Sequence, residues 1–245
     1  MWALDFLGYG GSDRYPEMAE PADANAPLGR APEAAQQIAR ASTFILRHHG
    51  VATLSLIAHS WGSMPACRFA AENPEMIRRI VLFGPIARRE GVPSPTPPAW
   101  DLVTNEAQWA RFTADTPAGE EPVMLRRHFE AWAPRYTASD PLAVTRSPQA
   151  VAFPAGPRAD IAAAWSGTLA YDPARVVAPV AIIRGAWDSL TTDADAGWLF
   201  DAFASPIRRD VKIARAGHLM HLEEQRHALY RETETFLRGE SMEGS

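Results

Sequence analysis

The run Leu54-Ser55-Leu56-Ile57-Ala58-His59-Ser60-Trp61-Gly62-Ser63 constrains this chain more than any other segment. A mostly apolar stretch of strand character drives directly into a serine, and a glycine follows two positions later. This is the strand–nucleophile–helix turn G-x-S-x-G, with Ala58 in place of the first glycine. Such a turn forces the serine backbone into a strained conformation that lifts the hydroxyl clear of the sheet. The positions two before and two after come so close that only small residues fit, and alanine meets that limit. A serine hydroxyl is a poor nucleophile until a base takes its proton, so the pattern calls for a histidine and a carboxylate further along.

Both partners are present. In Ala178 to Asp188 an apolar run ends at Gly185, with an aspartate three residues on, and in Val211 to His218 a strand-like alternation ends in Gly217-His218. Ser60, Asp188 and His218 therefore follow one another as nucleophile, acid and base. That order resembles the α/β-hydrolase superfamily and differs from those of chymotrypsin and subtilisin. The opening Leu4-Asp5-Phe6-Leu7-Gly8-Tyr9-Gly10-Gly11-Ser12 is similar to that superfamily's strand-four exit, D-x-x-G-x-G-x-S. The resemblance covers nearly the whole chain and is weakest between Ile86 and Ala170.

At 245 residues and 47% hydrophobic, the chain has enough apolar material for one sizeable core with an insertion. A net charge of −5 leaves no basic footprint, which argues against nucleic acid as a partner. The single cysteine, Cys67, has no partner for an internal disulfide and reads as a buried packing thiol. No Cys/His spacing suggests a metal, and neither a metal nor an organic cofactor is expected. No hydrophobic run approaches the ~20 residues that span a bilayer, and the first residues lack the pattern of a signal peptide. The expectation is a soluble cytoplasmic protein with a small-molecule substrate; its oligomeric state stays open.

Along the chain, Met1 to Asp5 predicts a short strand and Ser12 to Gly29 a loop. Pro32 to His49 predicts a helix with Ile38, Ala41 and Ile45 on one face and Gly50 as its cap. A strand over Thr53 to Ala58 enters the elbow, a helix from Trp61 stops near Asn73-Pro74, and Ile80 to Phe83 is the next strand. Thr191 or Thr192 caps a helix with Asp193 and Asp195 in its first turn, burying Trp198, Leu199 and Phe203. The last helix carries Leu222, Leu229, Thr233 and Phe236 at helical spacing. Buried strands alternating with amphipathic helices predict an α/β fold, a mostly parallel sheet covered on both faces.

One interruption breaks the alternation, so residues 1–85 and 171–245 form the core and 86–170 an insertion. Pro93, Pro95, Pro97 and Pro98 make a stiff connector, and helical patterns then carry Trp109, Phe112, Leu125, Phe129, Trp132 and Trp165. The resemblance implies that this insertion is a lid roofing the active site, and its aromatics suggest an apolar pocket or simply hold the lid down. Arg126, Arg127 and His128 read as a solvated helix face rather than an anion site.

In the family that the chain resembles, Ser60 is the nucleophile, Asp188 the acid and His218 the base, and the backbone N–H of Trp61 serves the oxyanion hole. Asp193 and Asp195 read as helix-start charges, and Asp172 as a turn residue. His221 packs or hydrogen-bonds nearby, and His59 is a packed or backbone-bonded neighbour. The resemblance also implies three strands ahead of the one at Met1 and a second oxyanion donor after the third. Strand three would lie between Met1–Asp5 and Thr53–Ala58, so its absence leaves a slot about two spacings of ~4.8 Å wide. The expectation is an N-terminally shortened form whose activity is in doubt. The function expected is hydrolysis of carboxylic esters of small to medium apolar substrates through an acyl-enzyme. The alternatives are a proline-iminopeptidase-like aminopeptidase, using Glu120, Glu121 or Glu130 to hold the substrate amine, and a non-catalytic ligand-binding relative or inactive fragment.

Overall fold

A computed structural model describes residues 1–239. Its centre is a four-stranded, all-parallel sheet of β1 (Leu54–His59), β2 (Ile77–Phe83), β5 (Val180–Gly185) and β6 (Arg208–Ile213), in the order β1-β2-β5-β6. Parallel strands buried on both faces read as continuous apolar runs, and every residue of β5 is buried. On one face, Ile80, Leu82, Val180 and Ile182 pack against α1 (Ala31–His49), α2 (Ser63–Glu72) and α6 (Asp193–Ala202). On the other, Val81, Ala181 and Ile183 meet Leu229 and Phe236 of α7 (Arg226–Arg238).

The helix ends follow local chemistry. Gly50 closes α1 in the left-handed conformation, with φ of 62°. Thr192 caps α6 in a reciprocal box with Asp195, each side chain accepting from the other's backbone N–H. Leu222 lies ahead of α7 rather than on it: its N–H closes a turn onto the carbonyl of Leu219 at 2.8 Å, and the helix starts only after Gln225. Cys67 is fully buried, and burial pushes its thiol up to about 12.

Met1 to Asp5 is not a strand. Among the described residues β1 pairs only with β2, so no ladder exists for this segment to join, and no slot separates two strands. Instead the segment runs exposed past the C-terminal end of α1. Trp2 donates from Nε1 to Nε2 of His49 at 2.9 Å and sets its ring edge-on to Phe44.

Between β2 and β5 the chain forms a second, antiparallel pair absent from the sequence expectation, β3 (Trp100–Val103) with β4 (Val151–Pro154). Three helices accompany it: α3 (Asn105–Thr113), α4 (Arg126–Ala138) and α5 (Gly156–Trp165). Phe112 and Phe129 form a separate cluster with Trp109 and Trp132, against which Leu219 and Leu222 pack.

Candidate active site

The carboxyl ends of β1, β5 and β6 bring three distant side chains together. Ser60 directly follows β1 and holds φ at 53°, a left-handed backbone rare outside glycine. The main chain turns at once through Trp61 and Gly62 into α2, so the hydroxyl stands above the sheet edge. Asp188 lies three residues beyond β5. Its Oδ1 accepts from the backbone N–H of Leu190 at 2.8 Å and of Thr191 at 2.9 Å. His218, in the loop after β6, is 5% exposed and Asp188 is 6% exposed.

The Ser60 hydroxyl donates to His218 Nε2 at 2.7 Å, and His218 Nδ1–H donates to Asp188 Oδ2 at 3.0 Å. All three predicted side chains therefore meet in one hydrogen-bonded chain. The backbone N–H of Trp61 follows Ser60 at the head of the turn into α2, while its indole donates to Asp160 Oδ2 at 2.9 Å. A cation at the serine's helix would be disfavoured there and a developing anion favoured.

Two neighbours complete the surroundings of His218. His59 stacks on Phe83, ring centres 4.5 Å apart, and its Nε2–H donates to the carbonyl of His218 at 2.9 Å. Burial, then the nearby His218 and His221, hold its pKa well below the usual imidazole value, so it stays neutral. His221 packs edge-on to His59 at 4.7 Å, and burial lowers it to about 4. Gly84, at the exit of β2, leaves the room that the pair needs: a Cβ there would stand 2.9 Å from His218 Nδ1. Its φ of 55° adds a backbone strain that a larger residue would carry.

Sequence reasoning missed two carboxylates that hold these loops. Asp115, just past α3, accepts at Oδ2 from the N–H of His218 at 2.9 Å and at Oδ1 from the Ser189 hydroxyl at 2.5 Å. One side chain thus ties the loop of His218 to that of Asp188 and Ser189. Asp160 of α5, 2% exposed, accepts from Trp61, from Arg30 Nε and from the N–H of Ala31 at 2.6 Å. In Ala114-Asp115-Thr116-Pro117 and Arg158-Ala159-Asp160-Ile161 nothing local distinguishes either aspartate from a surface charge; their partners lie on distant segments. A third group, Glu223, is 2% exposed and accepts at Oε2 from the N–H of Gly217 at 2.8 Å.

A cavity of about 640 Å³ opens onto Ser60 and His218. Its apolar wall includes Phe6, Trp61, Phe153, Ile161 and Leu190. The aromatics singled out in the sequence are not this lining: Trp109, Phe112, Phe129 and Trp132 pack on one another instead. Arg126 pairs with Glu130 at 3.1 Å and lies over Trp109, away from the cavity. Glu120 pairs with Arg215 at 3.0 Å, and none of Glu120, Glu121 and Glu130 reaches the cavity wall. Asp172 caps its own turn by accepting from Ala174 N–H at 3.0 Å. Among the described residues no cluster of metal-ligating side chains occurs, and no helix is long and apolar enough to cross a membrane.

Comparison with known proteins agrees with this architecture. A family model described as alpha/beta hydrolase fold matches residues 1–225. A monoacylglycerol lipase from Paleococcus ferrophilus superposes with a TM-score of 0.57 at 19% identity, covering 98% of this chain and 83% of the other. An esterase from Exiguobacterium antarcticum gives 0.59 at 15% identity, covering 96% and 80%. A bromoperoxidase from Bacillus anthracis gives 0.59 at 14% identity, covering 96% and 79%. At such identities the likeness speaks for the fold. No curated protein matches the sequence.

Proposed function

This chain belongs to the alpha/beta hydrolase fold family, and on that premise we propose that it is a serine hydrolase cleaving carboxylic esters through an acyl-enzyme. The observation that carries the reading is the unbroken hydrogen-bonded chain from Asp188 through His218 to Ser60, at 3.0 and 2.7 Å. In this reading His218 Nε2 takes the hydroxyl proton as Ser60 Oγ attacks the ester carbonyl carbon. Asp188 orients the ring and stabilises the imidazolium that forms. The Trp61 N–H, with the head of the turn into α2 behind it, faces the developing oxyanion. His218 then gives its proton to the departing alcohol. Water, deprotonated by the same nitrogen, attacks the acyl-enzyme and frees Ser60.

The largely apolar wall near Ser60 suits a small to medium hydrocarbon acyl group, and the segment 86–170, which supplies Phe153 and Ile161 to that wall, acts as the lid. A fluorophosphonate probe should label Ser60 in the wild-type chain, and Ser60→Ala should lose both labelling and turnover of para-nitrophenyl butyrate, by on the order of 10⁶ in kcat. Ordinary turnover by that variant removes the reading.

A further inference from the structure

The cavity beside Ser60 holds one charged group that nothing in the protein answers. α3 presents Gln108 and Arg111 three residues apart, so both lie on the helix face that lines the cavity. Of the two arginines in the wall, Arg14 is fully engaged: it donates to the carbonyls of Gly8 and Ala152, and to that of Ser139 at 2.6 Å. The guanidinium of Arg111 has no hydrogen bond and no ion pair among the described residues; it lies over the ring of Phe112, 5.4 Å from the ring centre. Asp115 is four residues on, but its oxygens serve Ser189 and His218, and no ion pair joins it to Arg111.

Two polar groups flank the arginine without full partners. Gln108 is 5% exposed and its Oε1 has no hydrogen-bond partner; turned over, the same amide presents its donor. The Tyr136 hydroxyl, from α4, lies beside the Gln108 amide and makes a long 3.5 Å contact to the carbonyl of Val103. Arg111 is exposed, and the cavity that it lines opens it to solvent and to a ligand alike. A guanidinium stays charged, and its planar fork matches a carboxylate. With no counter-ion beside it in the cavity wall, its fork is free to take a ligand's carboxylate.

Resting on the serine-hydrolase reading above, we propose that Arg111, flanked by Gln108 and Tyr136, is a carboxylate-binding subsite, and that the substrate is an ester bearing a second, ionised carboxyl group. The apolar part of the same cavity wall takes the hydrocarbon linking the two functions. The free carboxylate stands on either the acyl or the alcohol part, and two substrate pairs tell these apart. The first compares para-nitrophenyl hydrogen glutarate with para-nitrophenyl pentanoate. The second compares para-carboxyphenyl pentanoate with phenyl pentanoate.

For one pair, the acidic ester should exceed its neutral counterpart in kcat/KM by about tenfold or more. That ratio should fall to about one in Arg111→Leu and survive in part in Arg111→Lys, which keeps the charge but not the fork. A ratio near one for both pairs in the wild type overturns the subsite, as does a ratio that Arg111→Leu leaves intact. Calorimetric titration of glutarate into Ser60→Ala supplies a readout independent of turnover. Binding should be measurable there and absent once Arg111→Leu is added. If Ser60 proves inert while glutarate binding still depends on Arg111, the hydrolase reading fails and the subsite stands. If neutral esters are cleaved without any acid preference or glutarate binding, the opposite holds.

Discussion

The two walls of the cavity are held in place by different means. On the sheet side, Ser60, Asp188 and His218 sit at or just beyond the ends of strands whose backbones are laddered together and whose side chains are buried on both faces. On the other side, the segment 86–170 has its own small sheet and its own aromatic cluster. It grips the core through carboxylates: Asp160 reaches the Trp61 indole and the start of α1, and Asp115 reaches the loops of His218 and Ser189. The backbone bonds of the ladder depend on no one side chain, whereas a loop fixed by a single carboxylate depends on that residue alone. The contrast separates packing, which is distributed, from tethering, which is concentrated in a few oxygens.

The largest test of that contrast is Asp160→Ala. Three donors lose their acceptor in a buried place, so ~3 kcal/mol of stability should go, a fall of roughly 6 to 12 °C in Tm. A change within a degree or two means that the tether contributes little. Gly84→Ala probes the sheet side, where the added methyl pushes on the His218–Asp188 pair. Turnover should drop about 10²-fold, with the protein still folded by circular dichroism. Unaltered kcat argues that the imidazole has room to spare.

Asp115→Asn keeps the size of the tether and weakens its hold on two loops at once. Its kcat should fall about tenfold while KM changes little, since the reacting groups lose alignment rather than contact with substrate. A loss confined to KM assigns Asp115 to substrate binding instead. The smallest effect belongs to Glu223, whose pKa burial, with the charges of Asp115 and Asp188, raises to about 7. The folded state then holds a proton that the unfolded chain releases near its usual pKa of about 4.3, so stability falls as pH rises from there through 7. Glu223→Gln removes that slope, and its Tm should vary less than the wild type's between pH 5 and 8. Identical profiles contradict the assignment.

Much of the sheet side was legible in the sequence because its signals are local. The apolar runs into Ser60 and Gly185, the caps at Gly50 and Thr192, and the order of the three polar residues each depend on a few adjacent positions. The Met1–Asp5 strand failed because strand character needs a neighbour, and alternation in one segment says nothing of whether a neighbour exists. The β3–β4 pair escaped notice because its two strands, each four residues long, lie far apart in sequence. The aromatics from Trp109 to Trp132 were readable as buried but not as burying one another. Asp115, Asp160 and Arg111 looked like ordinary surface charges, since what distinguishes them is a partner, or the want of one, across the fold.

The carboxylate of Asp160 also decides how small this protein can be made. Excising residues 86–170 to leave a minimal core would delete both Asp160 and Asp115, and with them the acceptors under the indole beside Ser60 and under the loop of His218. The inserted stretch is therefore part of the frame, and a trimmed version would have to be redesigned at both ends rather than simply rejoined.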